Sequence, residues 1–203
     1  FYRSYLMADD LQPINQLFRD FKKRNFRCIG IFVNSLKIKS TAKWVESTLK
    51  EISPVAIVNA IAFSAKSQET GKSPLDHIGV PVFQMILSTS KKASWRRNAI
   101  GLNSSDLAMH IALPEVDGRI NGGIVSFKSD QAFDPDLQFP ISKHKVEKTL
   151  SSKLINKVQK WHALKSKKNE DKKIAIVLSS YPGRDFQLAH ALGLDTIKST
   201  THI

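Results

Sequence analysis

Val55-Ala56-Ile57-Val58-Asn59-Ala60-Ile61-Ala62-Phe63 is an apolar run broken by a single polar side chain. Mostly small and β-branched residues, directly after Pro54, read as a strand covered on both faces, as the strands of parallel sheets are. Working upstream, Trp44, Val45, Thr48, Leu49 and Ile52 recur at three- and four-residue steps. That spacing predicts a helix capped by Ser40 and stopped by Pro54. Before it lies a second apolar strand, Arg27 to Val33. A helix precedes that strand in turn, with Leu11, Ile14, Leu17, Phe18 and Phe21 on one stripe and Asp9 or Asp10 as its cap. Downstream, Val80 to Leu87 and Ile124 to Phe127 read as further strands. Helix and strand alternate without hairpin signals, which predicts an α/β fold of right-handed βαβ units on a parallel sheet.

Ser64 to Asp76 is polar, contains Gly71 and Pro74, and reads as a loop. The turn formers Gly118, Gly122 and Gly123 break the chain before Ile124. These breaks predict one larger α/β lobe over residues 1–130 and a proline-containing connector over 131–142. Residues 143–203 then form a long helix and the start of a second α/β unit. The long helix carries Val146, Leu150, Leu154, Val158, Trp161 and Leu164 on one stripe, and Ile174 to Leu178 is the strand expected after it.

The net charge is +13, and Lys143 to Lys173 alone holds eleven lysines against three acids. Lysines without clustered arginines or interleaved aromatics describe a solvated helix face, with weak attraction for polyanions at low salt and no specific nucleic-acid site. No apolar run approaches the roughly 18 to 20 residues that cross a bilayer. Cys28, the only cysteine, can form neither an internal disulfide nor a thiolate cage, and reads as a buried structural thiol in a reducing cytoplasm. Gly71-Lys72-Ser73 imitates the end of a phosphate-binding loop. However, Lys66 stands where that motif needs glycine, and Pro74 forbids the helix that should follow, so this chain is not expected to bind ATP.

The densest chemistry lies in Leu107-Ala108-Met109-His110-Ile111-Ala112-Leu113-Pro114-Glu115-Val116-Asp117-Gly118-Arg119. His110, Glu115, Asp117 and Arg119 surround a proline and a glycine after an apolar stretch, a setting in which α/β proteins keep ligand sites. Imidazole and carboxylates can hold a divalent ion or accept protons, and arginine can hold a carboxylate with two parallel hydrogen bonds. The same residues can equally be structural, with Glu115 or Asp117 paired to Arg119 and His110 satisfied in the core. Tyr181-Pro182-Gly183-Arg184 has the residues of a type II turn after a strand, a position from which Arg184 can face an anionic group. His77, His144, His162, His190 and His202 have no metal-ligand spacing, with His144 and His162 read as solvated or partly packed.

Ala108 to Ile120 resembles the AMHVxLPExDGRI segment of the cobaltochelatase large subunit, the CobN family, to which the magnesium chelatase large subunit is related. Other blocks follow in the same order: Phe1-Tyr2-Arg3-Ser4 with Asp9, Pro13-Ile14 and Leu17, then Val80-Pro81-Val82-Phe83-Gln84, Ser126-Phe127-Lys128, and Ala175-Ile176-Val177-Leu178 with Tyr181-Pro182-Gly183. Gly193-Leu194-Asp195-Thr196 is similar to the cobalt branch, although Ile197 replaces the usual proline and Asp185 to His190 lacks the glycines often found there.

The resemblance implies a piece of a much longer subunit, lacking the family's His-Gly-Thr-Leu-Glu segment associated with metal insertion. It implies that the whole protein binds a corrin precursor, hydrogenobyrinic acid a,c-diamide, and receives Co²⁺ as the substrate metal. It also implies accessory chelatase subunits and AAA+-type partners that use ATP and Mg²⁺. This piece would be inactive alone and would supply scaffold and part of the substrate cleft. His110, Glu115, Asp117, Arg119 and Arg184 are the candidates for substrate contact, with no catalytic residue among them and the metal ligands unassigned. The alternatives are a segment of a magnesium chelatase large subunit, or a non-catalytic α/β ligand-binding or interaction module from a truncated gene.

Overall fold

The computed structural model describes residues 1–129, 132–178, 189 and 195–203. The chain divides into two compact units, Phe1–Ala163 and Leu164–Ile203. In the first, helices α1 (Arg3–Met7), α2 (Gln12–Lys22) and α3 (Lys39–Ile52) precede strands β1 (Ile57–Asn59) and β2 (Val82–Lys91). A helical crossover follows, made of α4 (Lys92–Arg97), α5 (Ser104–Leu107), a π-helical turn (Ala108–Ala112) and α6 (Leu113–Val116). Next come β3 (Ile120–Lys128), β4 (Ala132–Asp134), β5 (Phe139–Ile141), β6 (His144–Val146) and helix α7 (Lys148–Ser166).

The main sheet has the order β1-β2-β3-β6. Its first three strands are parallel, as the apolar runs predicted, and β6 adds antiparallel to β3. Strand β2 is buried on both faces from Val82 to Ser88, which explains its largely apolar sequence. On one side, Phe83, Met85, Leu87 and Val125 pack with Ile14, Leu17 and Phe21 of α2 and with Leu154, Ile155 and Val158 of α7. A second cluster gathers Val45 and Leu49 of α3 with Val33, Ile61, Leu75 and Val82. The register of β2 on β3 slips between Gln84–Asn121 and Met85–Gly123. The slip falls at Gly122, where a side chain would meet the Gln84 carbonyl oxygen at 2.7 Å, and at Gly123, whose φ is +89°.

Several sequence expectations are corrected. Arg27 to Val33 forms no strand; only Val33 pairs with Tyr2, in one parallel bridge. Val55 to Phe63 is a strand only over Ile57–Asn59. Hairpin geometry does occur: β4 and β5 pair antiparallel around a turn in which the Asp134 carboxylate accepts from the N–H groups of Asp136 and Leu137, each at 3.0 Å. Asp10 does not cap α2, whose N-cap is Leu11; its carboxylate is used across the fold instead. Ser40 lies in the first turn of α3, behind an Ile38 cap. Cys28 is half-buried, not fully enclosed.

In the second unit, residues 172–178 have no regular structure, and Ile174 and Val177 are exposed, so the strand expected at Ile174 to Leu178 is absent. A strand needs a neighbour for its peptide groups, and none is paired with it among the described residues. A 3₁₀ turn (Asn169–Asp171) and helix α8 (Thr196–His202) are the regular elements described after α7. The Asp195 side chain caps α8 by accepting from the Lys198 N–H at 2.9 Å. Tyr181-Pro182-Gly183-Arg184 lies outside the described residues.

Candidate functional site

Ser104 to Val116 is one helical stretch widened in its middle by the π turn that carries His110. Such turns place one residue's side chain out of helical register and are frequent at functional positions. The stretch starts from Asn103, whose side chain accepts the Asp106 N–H at 2.7 Å. It is tied to the loop after β1 by the Phe63 N–H donating to the Met109 carbonyl at 2.9 Å.

Two polar networks flank it. The first joins the end of β1, the start of β2 and the entry to β3. Arg119 Nη2 donates to Asp117 Oδ2 at 2.8 Å, while its Nη1 donates to Gln84 Oε1 at 2.8 Å and to the Ile61 carbonyl at 3.0 Å. Asn59 Nδ2 donates to the same Gln84 oxygen at 2.7 Å, consistent with the β1–β2 register that sets Asn59 opposite Gln84. The Asp117 carboxylate also accepts from the Ser64 hydroxyl and, at 2.6 Å, from the Ala65 N–H. Burial lowers the Arg119 pKa, and the Asp117 carboxylate opposes that shift.

The second network lies at the carboxyl ends of β2 and β3. Asp106 is fully buried and accepts from Ser88 Oγ at 2.7 Å, from the Thr89 N–H at 3.0 Å and from Thr89 Oγ1 at 2.9 Å. His144 Nδ1 lies 3.1 Å from Ser126 Oγ, and its ring stands edge-on to Tyr5. Its backbone N–H donates to Asp10 Oδ1 at 2.7 Å, and Lys128 Nζ donates to the other Asp10 oxygen at 3.0 Å. Desolvation pushes the His144 pKa from 6.5 down to about 4, assisted by the Lys128 charge and opposed by Asp10 and Asp106. His110 is shifted down as well, chiefly by burial and against the pull of Asp106. Its Nδ1 is buried with no hydrogen-bond partner among the described residues.

The four candidates from the Ala108–Arg119 run are therefore placed differently. Asp117 and Arg119 come together as an internal ion pair. Glu115 is exposed, and its backbone carbonyl accepts the Gly118 N–H at 2.8 Å to close the turn. His110 is buried with its Nδ1 unused among the described residues, as is the Nε of Arg119. Among the described residues no three His, Cys, Asp or Glu side chains are grouped to hold a metal ion. Sequence reasoning missed Asp106, Ser88 and Thr89 and read His144 as solvated or partly packed, whereas it is buried. The available signal was Asn103-x-x-Asp106, a helix-cap spacing, following a Ser-Thr-Ser run at the end of an apolar strand.

A family model described as CobN/Magnesium Chelatase matches residues 1–203. The chain belongs to the CobN/magnesium chelatase family. Among its relatives, the aerobic cobaltochelatase subunit CobN of a Sinorhizobium species is 32% identical over the whole chain, which covers 16% of that protein. A magnesium-chelatase subunit of Rhodobacter capsulatus is 24% identical over 89% of the chain and 16% of its own length. The catalytic subunit of cobaltochelatase from Mycobacterium tuberculosis has the same fold over the full chain and 17% of its own, with a TM-score of 0.75 and 22% identity. The chain thus spans about a sixth of the length of these CobN-family relatives. No helix among the described residues is long and apolar enough to cross a membrane.

Proposed function

We propose that this chain is a segment of the large, corrin-binding subunit of an ATP-dependent cobaltochelatase. The whole subunit inserts Co²⁺ into hydrogenobyrinic acid a,c-diamide late in aerobic cobalamin synthesis, in the cytoplasm, while AAA+-type partners and accessory subunits use ATP and Mg²⁺. The observation that carries this reading is identity of 32% along the full chain to a protein named as a cobaltochelatase subunit, against 24% over a shorter stretch for a magnesium-chelatase subunit.

Metal insertion needs a site that takes the ring N–H proton while a rigid macrocycle accepts a hydrated ion. This segment supports that chemistry mainly as scaffold. The Arg119–Asp117 pair is closed inside the fold through both Arg119 Nη atoms, where it locks the loop after β1 onto β3, and this argues against Arg119 as a free anchor for a corrin carboxylate. His110 fits a substrate-facing role best, because burial favours its neutral form and leaves a ring nitrogen able to accept a proton. Glu115, exposed beside the same turn, and Arg184 remain further candidates for contact with the macrocycle's edge.

The test uses the full-length subunit with its partners, ATP, Mg²⁺ and Co²⁺, following the visible absorbance of the corrin. A spectral change that requires Co²⁺ and ATP supports the assignment. Faster insertion of Mg²⁺ into protoporphyrin would move the protein to the magnesium branch. Titrating the present chain with the corrin precursor then separates cleft from scaffold, since unchanged absorbance leaves the segment as scaffold alone.

A further inference from the structure

A cavity of about 920 Å³ opens beside β1, lined mainly by apolar side chains that include Phe18, Phe21, Cys28, Val45, Leu49 and Val158. It separates two backbones that present unused peptide groups to each other. On one wall, the Ile57 N–H donates to the Pro81 carbonyl. The alternation of a parallel ladder therefore turns the peptide groups of Ala56 and Val58 away from β2, toward the cavity. On the other wall, residues 27–31 have the composition of a strand but take part in a single hydrogen bond among the described residues, through the Ile31 carbonyl.

That bond shows how the gap is meant to close. Val33 N–H donates to the Phe1 carbonyl at 3.0 Å and Arg3 N–H to the Val33 carbonyl at 2.8 Å, which is one parallel rung. Phe1 N donates to the Ile31 carbonyl at 2.9 Å, which is the first half of the next rung. In parallel geometry its second half is the Ile31 N–H donating to a carbonyl two residues upstream of Phe1. Gly30 keeps this wall flat: a side chain there would press against the Phe18 ring at 3.0 Å.

We infer that the cavity is a strand-binding slot, filled in the full-length subunit by an extended apolar segment that runs into Phe1, parallel to β1 and to residues 27–31. With that segment in place, the Arg27–Val33 strand read from the sequence forms, and β1 becomes an interior strand. Three features select this occupant over a separate partner: the rung already begun at Phe1, the parallel direction it imposes, and relatives about six times longer than this chain. The inference concerns packing and stands whether or not the metal-insertion reading holds.

Cys28, which lines the slot and is the only thiol, reports on its occupancy. The chain is extended at its amino terminus by about six residues, an ordinary strand length, taken from its parent gene. A Gly-Ser extension of equal length is the control. The parental extension is expected to slow labelling of Cys28 by a bulky thiol reagent about tenfold, and to slow amide exchange at Ile29, Ile31 and Val58 by a similar factor, with the control unchanged. Equal behaviour of the two extensions overturns the inference. So does a concentration-dependent dimer of the unextended chain that already protects these amides, because the occupant is then a second copy. Where the short chain does not fold, proline two positions before Phe1 in the full-length subunit serves instead. It removes the N–H that the Ile29 carbonyl would accept, so Ile31 exchange should accelerate, and unchanged exchange overturns the proposal.

Discussion

Asp117 and Arg119, two positions apart, close a 2.8 Å ion pair whose side chains are 0% and 2% exposed. The same guanidinium reaches the Ile61 carbonyl and Gln84, so one side chain ties the loop after β1, the start of β2 and the entry to β3. Two charges this deeply buried compensate each other, and removing one leaves the other without a partner.

Arg119→Met should therefore cost about 3–5 kcal/mol in urea unfolding, the range for breaking a buried pair. Arg119→Lys should recover little, because a single ammonium cannot reproduce a planar fork that meets three acceptors. The decisive quantity is the double-mutant cycle with Asp117→Asn. A coupling near zero would mean that the two side chains contribute independently.

The His144 ring sets a pH dependence. Its folded pKa of about 4 lies below the ordinary 6.5, so the unfolded chain binds the proton more readily between those values. Its contribution to stability is complete above about pH 6.5 and is lost as the pH falls toward 4, by up to about 3 kcal/mol. The downward shift at His110 acts with the same sign. His144→Gln should flatten the dependence of urea midpoint on pH across this window, whatever its offset at neutral pH. An unchanged slope would place the acid sensitivity elsewhere.

The parallel sheet was legible because a strand covered on both faces is mainly apolar, as β2 is from Val82 to Leu87 with Gln84 the one exception. The hairpin over 132–141 was hidden, since its two short strands show no alternation and owe their pairing to one aspartate turn. Arg27 to Val33 reads as a strand and yet pairs only at Val33, a fact of neighbours that no local pattern contains. Within the site, the nearness of Asp117 to Arg119 followed from their spacing. The convergence of Asp10, Asp106, Ser126 and His144 did not, because it joins residues up to 134 positions apart through the fold.

Gly122 tests the close approach of β3 to its neighbours. An added methyl would lie 2.7 Å from the Gln84 carbonyl oxygen and 2.8 Å from Leu154 Cδ1. The leucine tip can move, whereas a backbone oxygen in the middle of a sheet cannot. Gly122→Ala should therefore lower stability by about 1–3 kcal/mol, the usual cost of overpacking, as measured by thermal or urea unfolding. A neutral result would show that the register slip beside it absorbs the methyl.

His110 separates scaffold from chemistry. Its Nδ1 has no hydrogen bond to lose, so His110→Phe, which keeps an aromatic ring, should change stability by about 1 kcal/mol or less. If the neutral imidazole takes a ring proton during metallation, the same change in the full-length subunit should slow Co²⁺ insertion about 100-fold or more, the contribution typical of a positioned base. Corrin affinity, followed by absorbance titration, should move little. The rate should also fall in the wild type as the pH drops through the depressed His110 pKa, and the variant should lose that limb of the profile. Loss of stability and rate in equal measure, with the profile intact, would return His110 to the core as packing alone.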